Sequence, residues 1–399
     1  MKRVFQVLSS FTSIPLRPQM ESALRAADVC DELVFVQYDQ MTTGMLGLWP
    51  ESEQIMGTLI LLRVEDWLRG SVSAENEKGT VTETNRIREC LRARTNEFVS
   101  HIESVSRKGL PILVLVCPSN GWIASNYKLG VVCQTYSNLI LVRIQSLANV
   151  KILVWPSSLG ASGPDDHSMD RLSQVPFTAE AFEQLAQYLE VHIRNVLKDR
   201  GKTSQAPSRG DLAALVSYLR NLCVHVHVAP ADSSDREHLD RVVRTAAGFS
   251  LNGERAYIAD AEIDSLVQNG LTLIVSVSDR FSNRIVGGFI VLRPEEGSLV
   301  MEMMALTCPV LGKQVEHAVA SALVHIAKDM ECVTMRFEYC ASGRNEAMLA
   351  FLKSICEASP DGGYVLAVED AQARIRTAAV AWDAWTLELE PIRVSAVGA

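Results

Sequence analysis

Three absences narrow the class of this chain before any motif is considered. No stretch approaches 18 uninterrupted apolar residues, so a membrane-spanning helix is not expected. No block of Lys and Arg stands out, and the formal net charge is −9, so nucleic acid is not an expected partner. The nine cysteines include no C-x-x-C pair, and an odd number cannot all be bridged. That usage fits a reducing compartment better than a disulfide framework. The first residues, "MKRVFQVLSSFTS", begin basic, but Gln6 and two serines break their apolar run. They make a poor signal peptide, and a cytoplasmic protein is expected.

What remains is an ordinary globular composition, 48% hydrophobic and 21% charged, over 399 residues. That length predicts two domains. Residues 1–200 alternate short apolar runs ("RVFQVLSS", "ELVFVQY", "TLILLRVEDW", "LPILVLVCPS", "NVKILVWPSS") with helical stretches such as Thr84–Arg107 and Ala179–Lys198. Near-continuous apolar strands between helices predict a parallel sheet covered on both faces, a three-layer α/β domain. The polar stretch "KDRGKTSQAPSRG" has no periodicity and marks the domain boundary. Residues 211–399 read as α+β, an antiparallel sheet with helices packed on it.

One segment of the second half carries candidate chemistry. In "LVMEMMALTCPVLGKQVEHAVASA" an apolar strand ends at Thr307-Cys308, a turn around Gly312 follows, and a helix begins. Backbone N–H groups at a helix start lack intrahelical partners, and the dipole there is positive, which suits a phosphate. Lys313 adds a point charge. Pro309 offers no N–H, and Gln314 puts bulk where close backbone approach favours a small residue. The turn is therefore either a weakened phosphopantetheine cradle or a plain connector. Glu302 is a carboxylate inside an apolar strand, costly there unless paired, functional or solvated. Cys308 is either a buried thiol or a thioester carrier. His225 and His227 share a strand face at a spacing zinc sites use, but no third ligand is evident and no metal is expected.

"RVVRTAAGFSLNGERAY", "VSVSDRFSNRIVGGFIVL", "LTCPVLGKQVEHAV" and "RFEYCASGRNEAMLAFL" resemble the C-terminal GNAT-like domain of FkbH-like proteins, over roughly residues 211–355. "VLSSFTSIPL", "VQYDQM", "LLRVEDWLRG" and "DRLSQVPFTAEAFEQLA" resemble the SGNH-hydrolase-like N-terminal domain of the longer members, over about residues 1–197. The resemblance implies a flavodoxin/SGNH-like parallel-sheet domain followed by a GNAT-like acyltransferase domain. It implies acyl transfer to or from an acyl carrier protein or coenzyme A, in polyketide or related biosynthesis.

It also implies a set of site residues. Glu302 would be the base and Cys308 a further catalytic candidate, with Tyr339 a distant one because Phe351 stands in the neighbourhood of the family's usual tyrosine. Leu311, Gly312, Lys313, Gln314 and Asn345 would hold coenzyme A or phosphopantetheine. Ser9, Ser10 and Asp170 would form a second site in the first half. Two departures matter. Gln174 stands where related sequences carry a histidine, and an amide cannot act as a general base. The Asp-x-Asp-x-Thr-type motif of a central haloacid-dehalogenase domain is missing. Alternatives to the acyltransferase are a non-catalytic carrier-docking protein and an esterase or thioesterase in the first half.

Overall fold

The computed structural model describes residues 2–38, 40–47, 53–69, 81–118, 127–160, 166, 169–170, 174–200, 211–246, 248–252, 271–360 and 362–392. The chain divides into two compact units, Met1–Leu215 and Val216–Ala399. Residues 201–210 of the expected boundary lie outside the described residues.

The first unit is built on a five-stranded sheet: β1 (Lys2–Ser9), β2 (Glu32–Phe35), β3 (Glu53–Leu62), β4 (Ile112–Val116) and β5 (Val150–Leu153), ordered β2-β1-β3-β4-β5. Every pairing is parallel. This is the flavodoxin-like doubly wound order. The helices are α1 (Arg17–Ala26), α2 (Met41–Leu46), α3 (Val81–Ser106), α4 (Tyr127–Ile144) and α5 (Ala179–Arg200). Side chains alternate across a strand, so the apolar runs supply two cores. Phe5, Val7, Leu59, Leu61 and Leu113 pack with Phe182, Leu185 and Leu189 of α5. Leu8, Ile60, Leu62, Ile112 and Val114 pack with Leu91 and Phe98 of α3 and Ile140 of α4. The expected apolar run "TLILLRVEDW" leaves the sheet at Leu62, and Val64–Leu68 form a 3-10 turn.

The second unit carries an eight-stranded sheet. Its strands are β6 (Val224–Pro230), β7 (Thr272–Ser278), β8 (Ile285–Glu295), β9 (Ser298–Leu306), β10 (Thr334–Phe337), β11 (Glu357–Ala358), β12 (Tyr364–Ala367) and β13 (Trp385–Leu389). The order is β11-β12-β10-β9-β8-β7-β6-β13. The expected antiparallel sheet is antiparallel except at β9/β10 and β13/β6, which are parallel. Parallel pairing of β9 with β10 follows from their connection, α8 (Val315–Asp329), because only a crossover can return the chain in the same direction. The remaining helices are α6 (Leu212–Asn221), where the division between units falls, α7 (Arg236–Thr245), α9 (Glu346–Ile355) and α10 (Val368–Ala378). Leu239 and Val242 of α7 pack with Ile274, Phe289, Val291, Met303 and Ala305. Helix α8 is buried at Val315, Ala318, Val319, Ala322 and Leu323.

Candidate functional site

The two parallel strands of the second unit separate early. Strand β10 pairs with β9 only from Ser298 to Met301, whereas β9 continues to Leu306 alongside β8. Beyond Met301 the chain after β10 diverges, and a four-residue segment of the same unit fills the opening. Leu251 N–H donates to Met304 O (3.0 Å), and Leu306 N–H donates to Phe249 O (2.9 Å). On its other side Leu251 O accepts from Cys340 N–H (2.9 Å). Asn252 Nδ2 donates to Glu302 O at 2.7 Å.

The turn after β9 folds back across β8. The Thr307 N–H and hydroxyl both donate to Gly287 O, at 2.8 and 3.1 Å. A Cβ at Gly287 would collide with Val310 Cγ1, so glycine there is what lets the turn lie down. Gly312 (φ 73°) and Gln314 (φ 67°) both adopt the left-handed conformation that swings the chain into α8. Gly312 thus has a backbone reason to be glycine, independent of any ligand.

The polar side chains of the turn are engaged within the protein. Lys313 is buried rather than exposed, and its Nζ lies 3.0 Å from Asp279 Oδ2. Asp279 Oδ1 accepts from the N–H groups of Phe281 and Ser282 (both 2.8 Å), so this aspartate also folds the β7–β8 loop. Gln314 Oε1 accepts from Val380 N–H at 2.7 Å. The first turn of α8 carries the carboxylate of Glu316, and His317 sits edge-on to Phe351 at 5.4 Å. The helix start therefore faces an acid of its own. With the turn's lysine already paired to Asp279, the local charge does not favour an added anion.

Glu302 pairs with Arg293, Nε to Oε1 2.5 Å, and is half-exposed. Arg293 also reaches Glu295 and, at 2.7 Å, Glu338. Tyr339 and Asn345 are brought together: the tyrosine hydroxyl donates to Asn345 Oδ1 at 3.1 Å. Burial raises the Tyr339 hydroxyl above its ordinary pKa. Asn345 is fully buried. Its Oδ1 also accepts from the N–H and hydroxyl of Ser342, at 3.0 and 3.1 Å. Its Nδ2 donates to Ser250 O and Cys340 O, each at 2.9 Å. Cys308 is half-exposed in the short turn Cys308–Val310, and Leu311 is buried. His225 holds Glu388 of β13 at 3.1 Å, and His227 holds Glu390, just past that strand, at 2.9 Å.

In the first unit Ser9 and Ser10 lie at the carboxyl end of β1, beside β3. That is the switch point where ligands bind in open α/β sheets. Phe11 N–H donates to Ser9 Oγ at 3.2 Å. Ser10 Oγ donates to Asp66 Oδ2 and accepts from Arg63 N–H, both at 2.8 Å. Arg63 is wholly buried and pairs with Asp66 (2.7 Å) and Asp170 (3.0 Å). Arg69 pairs with the same two carboxylates, at 2.9 and 2.6 Å. Ser10 is thus held by a carboxylate, and Asp170 is neutralised by two guanidinium groups. Gln174 is in the left-handed conformation (φ 53°). Sequence reasoning missed Arg63, Asp66 and Arg69. The available signal was four charged residues, Arg63, Glu65, Asp66 and Arg69, at the end of an otherwise apolar strand, in "LLRVEDWLRG".

No protein-family model matches the chain, and no curated protein matches it. Some solved structures are similar to part of it. A GNAT-family acetyltransferase from Bacillus anthracis has 11% identity and a TM-score of 0.27, covering 36% of this chain and 94% of that one. The aminoglycoside acetyltransferase AAC(6')-Ib, solved in complex with coenzyme A and kanamycin, has 14% identity and a TM-score of 0.27. That match covers 38% of this chain and 99% of the other. At these scores neither likeness transfers a role to any residue.

Proposed function

We propose that the second unit handles acyl thioesters as a GNAT-type acyltransferase. Its donor or acceptor would be carried on coenzyme A or on the phosphopantetheine of an acyl carrier protein, in polyketide or related natural-product biosynthesis in the cytoplasm. The observation that supports this reading is the separation of β10 from β9 at Met301, with β9 running on through the Gly312 turn into α8. Glu302 is the candidate base, with Cys308 and Tyr339 as further candidates. Residues 311–314 and Asn345 are the candidate contacts of the carrier arm. In the conformation described, the arm does not fit along β9, because residues 249–252 already occupy that edge.

The test is incubation with acyl-CoAs and acylated carrier proteins, read by intact mass. Transfer, or a covalent acyl adduct, is expected. Glu302→Gln should leave binding nearly unchanged and abolish turnover, since it keeps shape and removes the base. Normal turnover by that variant would remove Glu302 from the role.

A second reading is a non-catalytic carrier-docking protein. It is favoured by the pairing of Lys313 with Asp279 and of Glu302 with Arg293, which leaves neither charge uncommitted. Binding of a carrier protein without any transfer would select it. For the first unit, the buried salt-bridge network around Ser10 favours an SGNH-like binding platform over a hydrolase. Ser10→Ala and Ser9→Ala should leave activity largely intact, and loss in either folded variant would revive the hydrolase.

A further inference from the structure

The edge that a thioester arm needs is the edge that residues 249–252 hold. We infer that this segment is a self-inhibiting strap: it closes the β9 opening, must leave before an arm can enter, and is clasped shut by Asn345. The inference rests on the thioester reading above and names the regulation of that same site.

The geometry supports each part. Ser250 and Ala305 face each other across an antiparallel bridge, and Asn252 faces Cys340 across a parallel one. The strap therefore behaves as a short strand between β9 and the chain leaving β10. It takes the carbonyl of Met304 and the N–H of Leu306, and its Asn252 side chain takes the carbonyl of Glu302. An extended ligand running along β9 would need these same groups, so strap and ligand cannot share them. The strap is held by a few hydrogen bonds and by two buried side chains, Phe249 and Leu251. Asn345 joins Ser250 O of the strap to Cys340, Ser342 and Tyr339 of the following loop. It is a positioning residue: it fixes the closed state and, through Tyr339, couples that state to a candidate catalytic hydroxyl. Apparent affinity is reduced by the fraction of molecules that are open, so loosening the clasp should tighten binding. A direct ligand contact at Asn345 predicts the opposite sign.

Three measurements on the full chain decide the matter. The probes are coenzyme A and acetyl-CoA, titrated calorimetrically. Asn345→Ala, if circular dichroism shows it folded, should bind either probe more tightly, by about tenfold or more if the closed state dominates. Weaker binding in a folded variant overturns the inference. The hydrogen-bond pattern makes Ser250 and Ala305 a non-hydrogen-bonded pair, the closer kind, suited to a disulfide. The double variant Ser250→Cys/Ala305→Cys should bind when reduced and lose binding when oxidised. Equal affinity in both states overturns the strap.

The third measurement needs no ligand. Amide exchange at Leu251, Leu306 and Cys340, whose N–H groups make the strap's hydrogen bonds, should proceed through local opening and speed up in Asn345→Ala. If these amides exchange only with global unfolding, the segment is a fixed strand and the inference falls. If none of the proteins binds either probe but the amides open locally, the thioester reading falls and the opening segment stands.

Discussion

Arg63 shows how one side chain can decide a site. Its guanidinium is fully buried against Asp66 and Asp170, and removing it leaves these two buried carboxylates to share Arg69. Arg63→Met should destabilise the first unit by about 3–5 kcal/mol in urea unfolding, the usual effect of breaking a buried pair. Burial alone would raise the Asp66 carboxyl, but the Arg63 and Arg69 guanidinium groups beside it hold it below the ordinary aspartate range. A depressed folded pKa contributes stability that is complete above the unfolded value of about 3.9 and is lost as pH falls through the folded value. Acid titration of unfolding should therefore show the first unit weakening below about pH 4, and Asp66→Asn should remove that component. Thiols divide by the same physics of burial. Desolvation raises Cys117 and Cys133 far above an ordinary thiol and takes Cys356 up to about 12, whereas Cys223 and Cys340 are exposed. Brief alkylation mapped by mass spectrometry should label Cys223 and Cys340 first and leave Cys117 and Cys133 intact.

At the scale of elements, the strand–turn–helix around Gly312 depends on β8 beneath it. Gly287 lies where any Cβ would strike Val310, and the adjacent Gly288 would bring a Cβ to 2.6 Å from Ala305 O. Gly287→Ala should lower stability by about 1–3 kcal/mol through overpacking, and adding Val310→Ala should restore part of that loss. Additive losses in the double-mutant cycle would show that the turn does not rest on Gly287. The strand runs themselves were legible in sequence: "RIVGGFIVL" and "SLVMEMMALT" contain most of β8 and β9. The glycine pair was readable as a bend, but its purpose was not. The contact with Val310 joins residues distant in the chain, and no local pattern encodes it.

At the scale of the molecule, the parts with their own periodicity were legible and the closures between them were not. The fragment from Asp211 to Ala399 retains α6 with its buried Leu219, followed directly by the buried Leu222, whose O accepts from Arg280 N–H at 2.8 Å. Expressed alone it should unfold cooperatively, and a fragment beginning after Leu222 should be less stable. A featureless thermal transition in the longer fragment would deny the second unit independence. Apolar runs spaced by helices determined the parallel sheet of the first unit, because strands buried on both faces must be apolar throughout. The strand–turn–helix order of the second half was legible too, but an antiparallel sheet was expected there, and the parallel pairing of β9 with β10 was not. Only the tertiary structure decided the state of the polar groups. It set Lys313 against Asp279, Glu302 against Arg293, Ser10 against Asp66, and residues 249–252 along the free edge of β9. The reason is that secondary structure follows from neighbours a few positions apart, whereas ion pairs and strand edges are completed by whatever the fold brings within about 3 Å, however far away in the chain.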